Sequence, residues 1–301
     1  MPYDVWFTDR AAEFLDVAGE ALAADPVVTT VMTTYTSRVR GEQQAGRAFP
    51  VDRPQWWAVV RDDDGSNVGM AMRTAPQPPH PLFVLPMEDG AALALAHALH
   101  GRGETVGGLN GSLPAAQVLA AELARLQGGT VDVAVHTRLF ELGALVPPVG
   151  VPGSLRLATL EDFDLAYEWV RRFMADADEQ AGREPGDHGR VDIEPDDLAR
   201  RIEGGTYWFW LDDTGERVHL TGANPPAFGV ARIGPVYTPP EQRRKGYAGA
   251  AVAEVSQHFL DAGVRVCLYT DQANPTSNGI YQALGYVAVV DQVNLRIVDG
   301  S

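Results

Sequence analysis

The apolar and polar positions of this chain sort into two successive runs of elements. Ala11, Phe14, Leu15, Ala18 and Leu22 recur near helical spacing and predict a helix over residues 10–24. Asp25 and Pro26 read as an N-cap with proline at the first helical position, so a second helix is expected from there to residue 40. Strands follow at 55–62 and 68–74 across the turn DDGSN, with a short one at 82–85 after a proline-rich loop. A helix over 88–102 and a strand over 106–110 come next. A helix from Pro114 to its stop at Gly128 and a strand over 130–142 complete the run.

The second run opens with a strand over 155–158. Thr159 caps a helix that continues to residue 179, with Asp162 at the capping-box position. A helix over 195–203 precedes strands over 206–211, 217–223 and 228–237, the first two joined by the hairpin turn DDTGE. A helix over 247–262, a strand over 264–270, a helix over 276–284 and a final strand within 286–298 follow. Both halves therefore read helices, three strands, helix, strand, helix, strand, which implies an internal repeat. The Pro- and Gly-rich stretch 147–153 is expected to join a domain of residues 1–146 to one of residues 154–301. It is apolar enough to lie against both domains rather than swing free.

The stretch from Phe228 to Tyr286 carries the chemistry. An apolar, β-branched strand is stopped by Pro239 and Pro240. Arg243, Arg244, Lys245, Gly246, Tyr247, Ala248 and Gly249 follow and open a helix. The first N–H groups of a helix have no partners, and the dipole end there is positive. Small residues let a phosphate approach those groups, and the cations favour it. Lys245 is the only lysine in the chain. A Walker loop fails, because Lys245 precedes the glycine and no Ser or Thr follows. A dinucleotide fingerprint fails for lack of its triple glycine.

Arg243-x-x-Gly246-x-Ala248 resembles the R/Q-x-x-G-x-G/A pyrophosphate loop of the GNAT superfamily of N-acetyltransferases, which bind acetyl-CoA. The flanking VYTPPEQRRKGYA and NPTSNGIYQALGY stand at the family's usual distance, so the resemblance covers residues 228–286. It implies an α+β, three-layer architecture of tandem GNAT-like folds, each a mixed, mostly antiparallel sheet flanked by helices. It also implies that backbone groups at Val236 and Tyr237 hold the pantetheine arm and thioester. Amides from Arg244 to Gly249 would hold the pyrophosphate beside Arg243. Asn274 matches the asparagine near the CoA arm, with Asn278 beside it on the last helix. Tyr281 matches the tyrosine that protonates the departing thiolate. Arg244 stands where glycine is frequent. The first half has PLFVLPMEDGAAL at the corresponding place, with Glu88 and Asp89 where a phosphate would sit. It is expected to be a degenerate copy without the acetyl-CoA site.

Composition narrows the partners. The net charge is −16 and is spread over both halves, which argues against nucleic acid and suits either solubility or a cationic acceptor. No apolar run is long enough for a membrane span, and the start of the chain has no signal-peptide pattern. A cytoplasmic monomer or homodimer is expected. The single Cys267 reads as a buried core thiol, and no metal site is expected from the histidine spacing. Trp208 and Trp210 share one face of a strand and read as core.

The function expected is acetyl transfer from acetyl-CoA to a primary amine of a small molecule or peptide by direct attack. Tyr281 supplies the acid, since a phenol with a pKa of ~10 stays protonated at neutral pH. Glu179, Glu184, Asp187, Asp192 and Glu194 lie in or beside the loop that the resemblance implies borders the acceptor, and are candidate bases that read first as surface charges. His219, mid-strand, reads first as a satisfied core histidine and otherwise as a base acting through water. The alternative is a non-catalytic acyl-CoA sensor or scaffold. Arg243→Ala is expected to weaken CoA binding.

Overall fold

The computed structural model describes residues 3–46, 54–75, 78–180 and 193–299. It divides into two compact units, Met1–Thr137 with Val290–Ser301, and Arg138–Val289. The first holds β1 (Asp4–Thr8), α1 (Ala11–Ala24), α2 (Thr30–Gln44), β2 (Trp56–Arg61), β3 (Asn67–Arg73), β4 (Leu82–Val84), α3 (Asp89–Gly101), β5 (Gly108–Ser112) and α4 (Ala115–Gln127). The strand β6 (Gly129–Leu142) begins in it. The second holds β7 (Ser154–Leu157), α5 (Phe163–Gln180), α6 (Pro195–Glu203), β8 (Tyr207–Leu211), β9 (Arg217–Ala223), β10 (Val230–Tyr237), α7 (Tyr247–Asp261), β11 (Arg265–Asp271) and α8 (Pro275–Ala283). The strand β12 (Tyr286–Asp299) begins in it. No helix among the described residues is long and apolar enough to cross a membrane.

The helical spacing reappears as buried stripes. Ala11, Phe14, Ala18 and Leu22 are the buried face of α1. The start of α2 differs from expectation. Asp25 does accept from the Val28 N–H, at 3.3 Å, but the Thr29 hydroxyl donates to the carbonyls of Leu22 and Asp25. That segment is a turn, and the helix opens at Thr30. Threonine hydroxyls compete with the helical ladder in this way. β1 was not anticipated. It is a five-residue strand paired only with β2, and its identity comes from that pairing rather than from alternation.

Each unit follows the same strand order. In the first, β1-β2-β3-β4 are antiparallel neighbours, β4 and β5 are parallel, and β5 pairs antiparallel with Gln292–Arg296 of β12. In the second, β7-β8-β9-β10 are antiparallel, β10 and β11 are parallel, and the end of β6 lies beyond β11. Arg265 of β11 donates to Glu141 of β6 at 2.7 Å. The strand after the parallel pair is thus supplied to each unit by the other half of the chain. The compact units therefore do not part at 147–153. That stretch lies within the second unit, where the Trp210 indole donates to the Pro152 carbonyl at 3.0 Å.

The expected capping box forms at Thr159 and Asp162, ahead of α5. Asp162 is 2% exposed and takes two nitrogens of Arg156, at 2.8 and 2.9 Å, with Arg217 of β9 at 2.6 Å. Burial alone would raise its pKa. The hydrogen bonds from Arg156, the Thr159 N–H and Arg217 outweigh that and hold it well below the usual carboxylate range.

Two outcomes are expected. Residues 154–301 alone lack Phe140 and Leu142 of β6, which pack with Val252, Phe259 and Leu284. Losing two such side chains costs roughly 5–10 kcal/mol, comparable with a whole domain's stability. This fragment should show no cooperative melt where the full chain does. Asp162→Asn should cost about 2–3 kcal/mol at neutral pH, moderated because both arginines are part-exposed. Since the folded pKa is lowered, that contribution is complete above the ordinary aspartate value of 3.8 and fades as the pH falls below it. Denaturant titrations of both proteins from neutral to acid pH should show the gap narrowing.

Candidate functional site

The site begins where β10 leaves β11. Their parallel pairing covers Val230–Ile233 against Arg265–Leu268. A register shift then lies between Ile233 and Val236 on the β9 side, at Gly234 and Pro235. Beyond it, Val236 and Tyr237 pair with Thr221 and Leu220 of β9, while β11 continues to Asp271 without them. The backbone of the last part of β10 therefore turns an unpaired edge toward β11.

The strand stops at Pro239, as its two prolines require, and a 3₁₀ turn over Pro240–Gln242 leads to the loop. Arg243 is extended, Arg244 has φ 66°, and Gly246 has φ 88°. The frequent glycine of related loops at the Arg244 position thus has a conformational reason: this backbone is left-handed, and arginine bears a strain there that glycine does not. At Gly246 glycine is required twice over, because a Cβ would also stand 3.0 Å from the Val151 methyl. Gly249 has looser surroundings, with Ile280 and Pro148 at ordinary contact distance from an added Cβ.

No acceptor among the described residues takes the N–H groups of residues 244–249; the first loop-to-helix bond is Ala250 N–H to the Gly246 carbonyl, at 3.1 Å. These amides line the start of the 15-residue α7. Tyr247 contributes only its N–H, since its ring is buried with Trp210, Val218 and Ala251. The Lys245 ammonium is exposed, donates to Gln242 at 2.7 Å, and stands over the Tyr247 ring at 6.0 Å. Arg244 is exposed and has no side-chain partner among the described residues.

Arg243 is placed differently from the sequence expectation. Its guanidinium donates to Asp176 of α5 at 2.6 Å and to the Thr238 carbonyl at 3.1 Å. The Tyr237 hydroxyl donates to the same Asp176 oxygen at 2.9 Å. Burial, and then this carboxylate, push the Tyr237 pKa up to about 12. Asp176 thus ties α5, the end of β10 and the loop together, and the Arg243 charge is already met. Sequence reasoning missed Asp176. The signal was present: it follows Trp169 and Phe173 at helical spacing on the face of α5 that packs against Phe209 and Tyr237.

Asn274 and Asn278 also have structural work. The Asn274 side chain caps α8, accepting from the Ser277 N–H at 3.0 Å. The Asn278 amide donates to the carbonyls of Asp271 and Asn274, at 3.0 and 2.7 Å, and holds the turn between β11 and α8. Neither side chain is directed to a ligand by these contacts. Tyr281 is 7% exposed on α8, edge-on to Tyr286 at 6.0 Å. Its cluster includes Val236 and Leu268. Burial pushes its pKa well above the usual phenol value, and its hydroxyl meets no partner among the described residues.

His219 is a satisfied core residue. Thr238 and Thr221 hydroxyls lie 2.7 Å from its two ring nitrogens, and burial lowers its pKa to about 3. Glu179 and Glu194 are exposed, and Glu184, Asp187 and Asp192 lie outside the described residues. Cys267, Trp208 and Trp210 are buried, as their positions suggested.

The corresponding place in the first unit is built otherwise. β4 and β5 pair through Val84 and Gly111, so close that a Cβ on Gly111 would lie 2.5 Å from the Val84 carbonyl oxygen. Glu88 precedes α3, and the Tyr3 ring packs on Gly90 in its first turn. A carboxylate-bearing residue and a phenol ring thus stand at the start of α3, where cations stand at α7.

Residues 227–296 match the family model described as FR47-like protein. Among solved structures, the chain is similar to a GCN5-related N-acetyltransferase from Sphaerobacter thermophilus, with 16% identity, 100% of this chain and 97% of that chain covered, and a TM-score of 0.59. It is similar to a GNAT-family acetyltransferase from Colwellia psychrerythraea, with 11% identity, 98% and 100% covered, and a TM-score of 0.53. A tandem GNAT protein from the clavulanic acid biosynthesis pathway gives 17% identity, 99% and 100% covered, and a TM-score of 0.56. No curated protein matches the sequence. The chain has the α+β GNAT fold, as the resemblance at residues 228–286 implied.

If Arg243 shapes the loop through Asp176, Arg243→Ala and Asp176→Ala should be strongly non-additive in stability, with a coupling of about 1–3 kcal/mol. Both should weaken acyl-CoA binding by similar factors. Tighter binding by Asp176→Ala, measured by calorimetry, would mean that the guanidinium itself contacts phosphate.

Proposed function

We propose that this protein is an N-acetyltransferase that moves the acetyl group of acetyl-CoA to a primary amine of a small molecule or peptide. The observation that carries this reading is the row of unpartnered N–H groups from Arg244 to Gly249, at the end of a strand that has parted from its neighbour. A diphosphate fits there. The amides converge at a helix start, Gly246 presents no Cβ, and Arg244 and Lys245 are exposed beside them. When bound, acetyl-CoA supplies the thioester to be attacked.

The chain's own residues then have separate tasks. The loop amides fix one end of the donor, which turns a bimolecular encounter into a positioned one. The unpaired edge at Val236 and Tyr237 offers backbone groups to the arm and to the carbonyl. The Tyr281 hydroxyl holds a proton at neutral pH, because burial disfavours its anion, and it has no competing acceptor among the described residues. It is therefore suited to deliver that proton to a departing sulfur. His219 is not the base, since both ring nitrogens are engaged and it stays neutral.

Calorimetry with acetyl-CoA, followed by thiol release over a panel of amines, tests the reading. Tyr281→Phe is expected to lower kcat by roughly 10²-fold or more with little change in acetyl-CoA affinity. Binding without release for any amine, together with an unaltered Tyr281→Phe protein, would instead mark an acyl-CoA sensor.

A further inference from the structure

One buried cation in the second unit has no counterion among the described residues. Arg232 lies on β10, directly before the point where that strand parts from β11. Its neighbours Ala231 and Ile233 pack toward α7 and α8, with Val252, Val255 and Leu284. Strand alternation therefore puts Arg232 on the opposite face, where Tyr207, Phe209 and Leu220 meet α5 and α6. Its Nη1 is buried and meets no acceptor. The residue as a whole is part-exposed. Cys267 and Tyr269 of β11 and Arg201 of α6 are the titratable groups whose charges reach it. The Arg201 charge is met by Asp197 at 2.9 Å. Burial lowers the Arg232 pKa, and the opposing influence of Cys267 and Tyr269 does not make up for it.

A protein of net charge −16 has acids in excess, yet none among the described residues bonds the Nη1 of this guanidinium. A fixed, planar, half-sheltered fork of donors suits a carboxylate in two-point contact. The face matters as well. A cofactor held at the start of α7 approaches from the α7 and α8 side of the parting strands. The α5 and α6 side is left for the acceptor.

We propose that the acceptor amine carries a carboxylate, as an amino acid does, and that Arg232 binds that carboxylate beside the opening between β10 and β11. This inference rests on the acyltransferase reading above. It alters the picture drawn from net charge, because the acceptor would present an anion inside an acidic protein.

The test compares acceptors that differ only in the carboxylate. Glycine, β-alanine and γ-aminobutyrate are paired with methylamine, ethylamine and n-propylamine, and L-phenylalanine with phenethylamine, all with acetyl-CoA. The carboxylate-bearing member of at least one pair should be acetylated with a kcat/KM at least ~10-fold higher. Arg232→Met should shrink that ratio by roughly 10- to 100-fold, mainly through KM. The ligand-free variant should melt no lower than the parent, because it gives up no described partner. The comparison within each pair stands for the parent protein whatever the variant does. Transfer that ignores the carboxylate, or a ratio that Arg232→Met leaves intact, overturns this inference and leaves the acyltransferase reading standing. A preference for succinyl-CoA over acetyl-CoA that Arg232→Met abolishes would move the carboxylate to the acyl group and overturn its assignment to the acceptor. No transfer to any amine would sink both readings together.

Discussion

A helix cannot satisfy the N–H groups of its own first turn, and everything at this site follows from where α7 begins. It starts after a strand that has just given up its parallel neighbour. The open edge of β10 and the open amides of the loop are two consequences of one break in pairing. Unpartnered donors of this kind are costly when buried and useful when a ligand can reach them. The loop keeps them at the surface through a left-handed Gly246 and a strained Arg244.

The same element order in the first unit leads elsewhere, and the physical difference is small. β4 and β5 pair over Leu82–Val84, with Gly111 allowing the close approach, and the start of α3 carries Glu88 and the Tyr3 ring. The two helix starts thus differ in what stands beside them: Arg244 and Lys245 at α7, Glu88 and the Tyr3 ring at α3.

Asp176 shows how charge near the proposed anion site can serve shape rather than attraction. It takes Arg243 and Tyr237 together, which fixes the approach of α5 to the loop but spends the arginine's charge. Attraction is left to Arg244 and Lys245. Arg232 is the converse case. It is a cation whose charge nothing described has met, held where a strand pair opens.

Much of this molecule was legible in its sequence. The element order, the loop over residues 243–249 and the capping box at Thr159 and Asp162 are set by neighbours within a few positions, and hydrophobic period and turn chemistry report such neighbours directly. The place of Tyr281 on the last helix, packed on the sheet, was legible for the same reason. Tertiary structure decided what depends on partners far along the chain. β1 exists because β2 pairs with it. β6 and β12 each close the unit of the other half, so the Pro- and Gly-rich stretch was a poor guide to the division. Arg243 was committed to Asp176 by the packing of α5, and Asn274 and Asn278 were drawn into capping α8. Arg232 was left unmatched in the same way. Local sequence carries no record of which charge ends beside which, because that is settled only when separate elements pack.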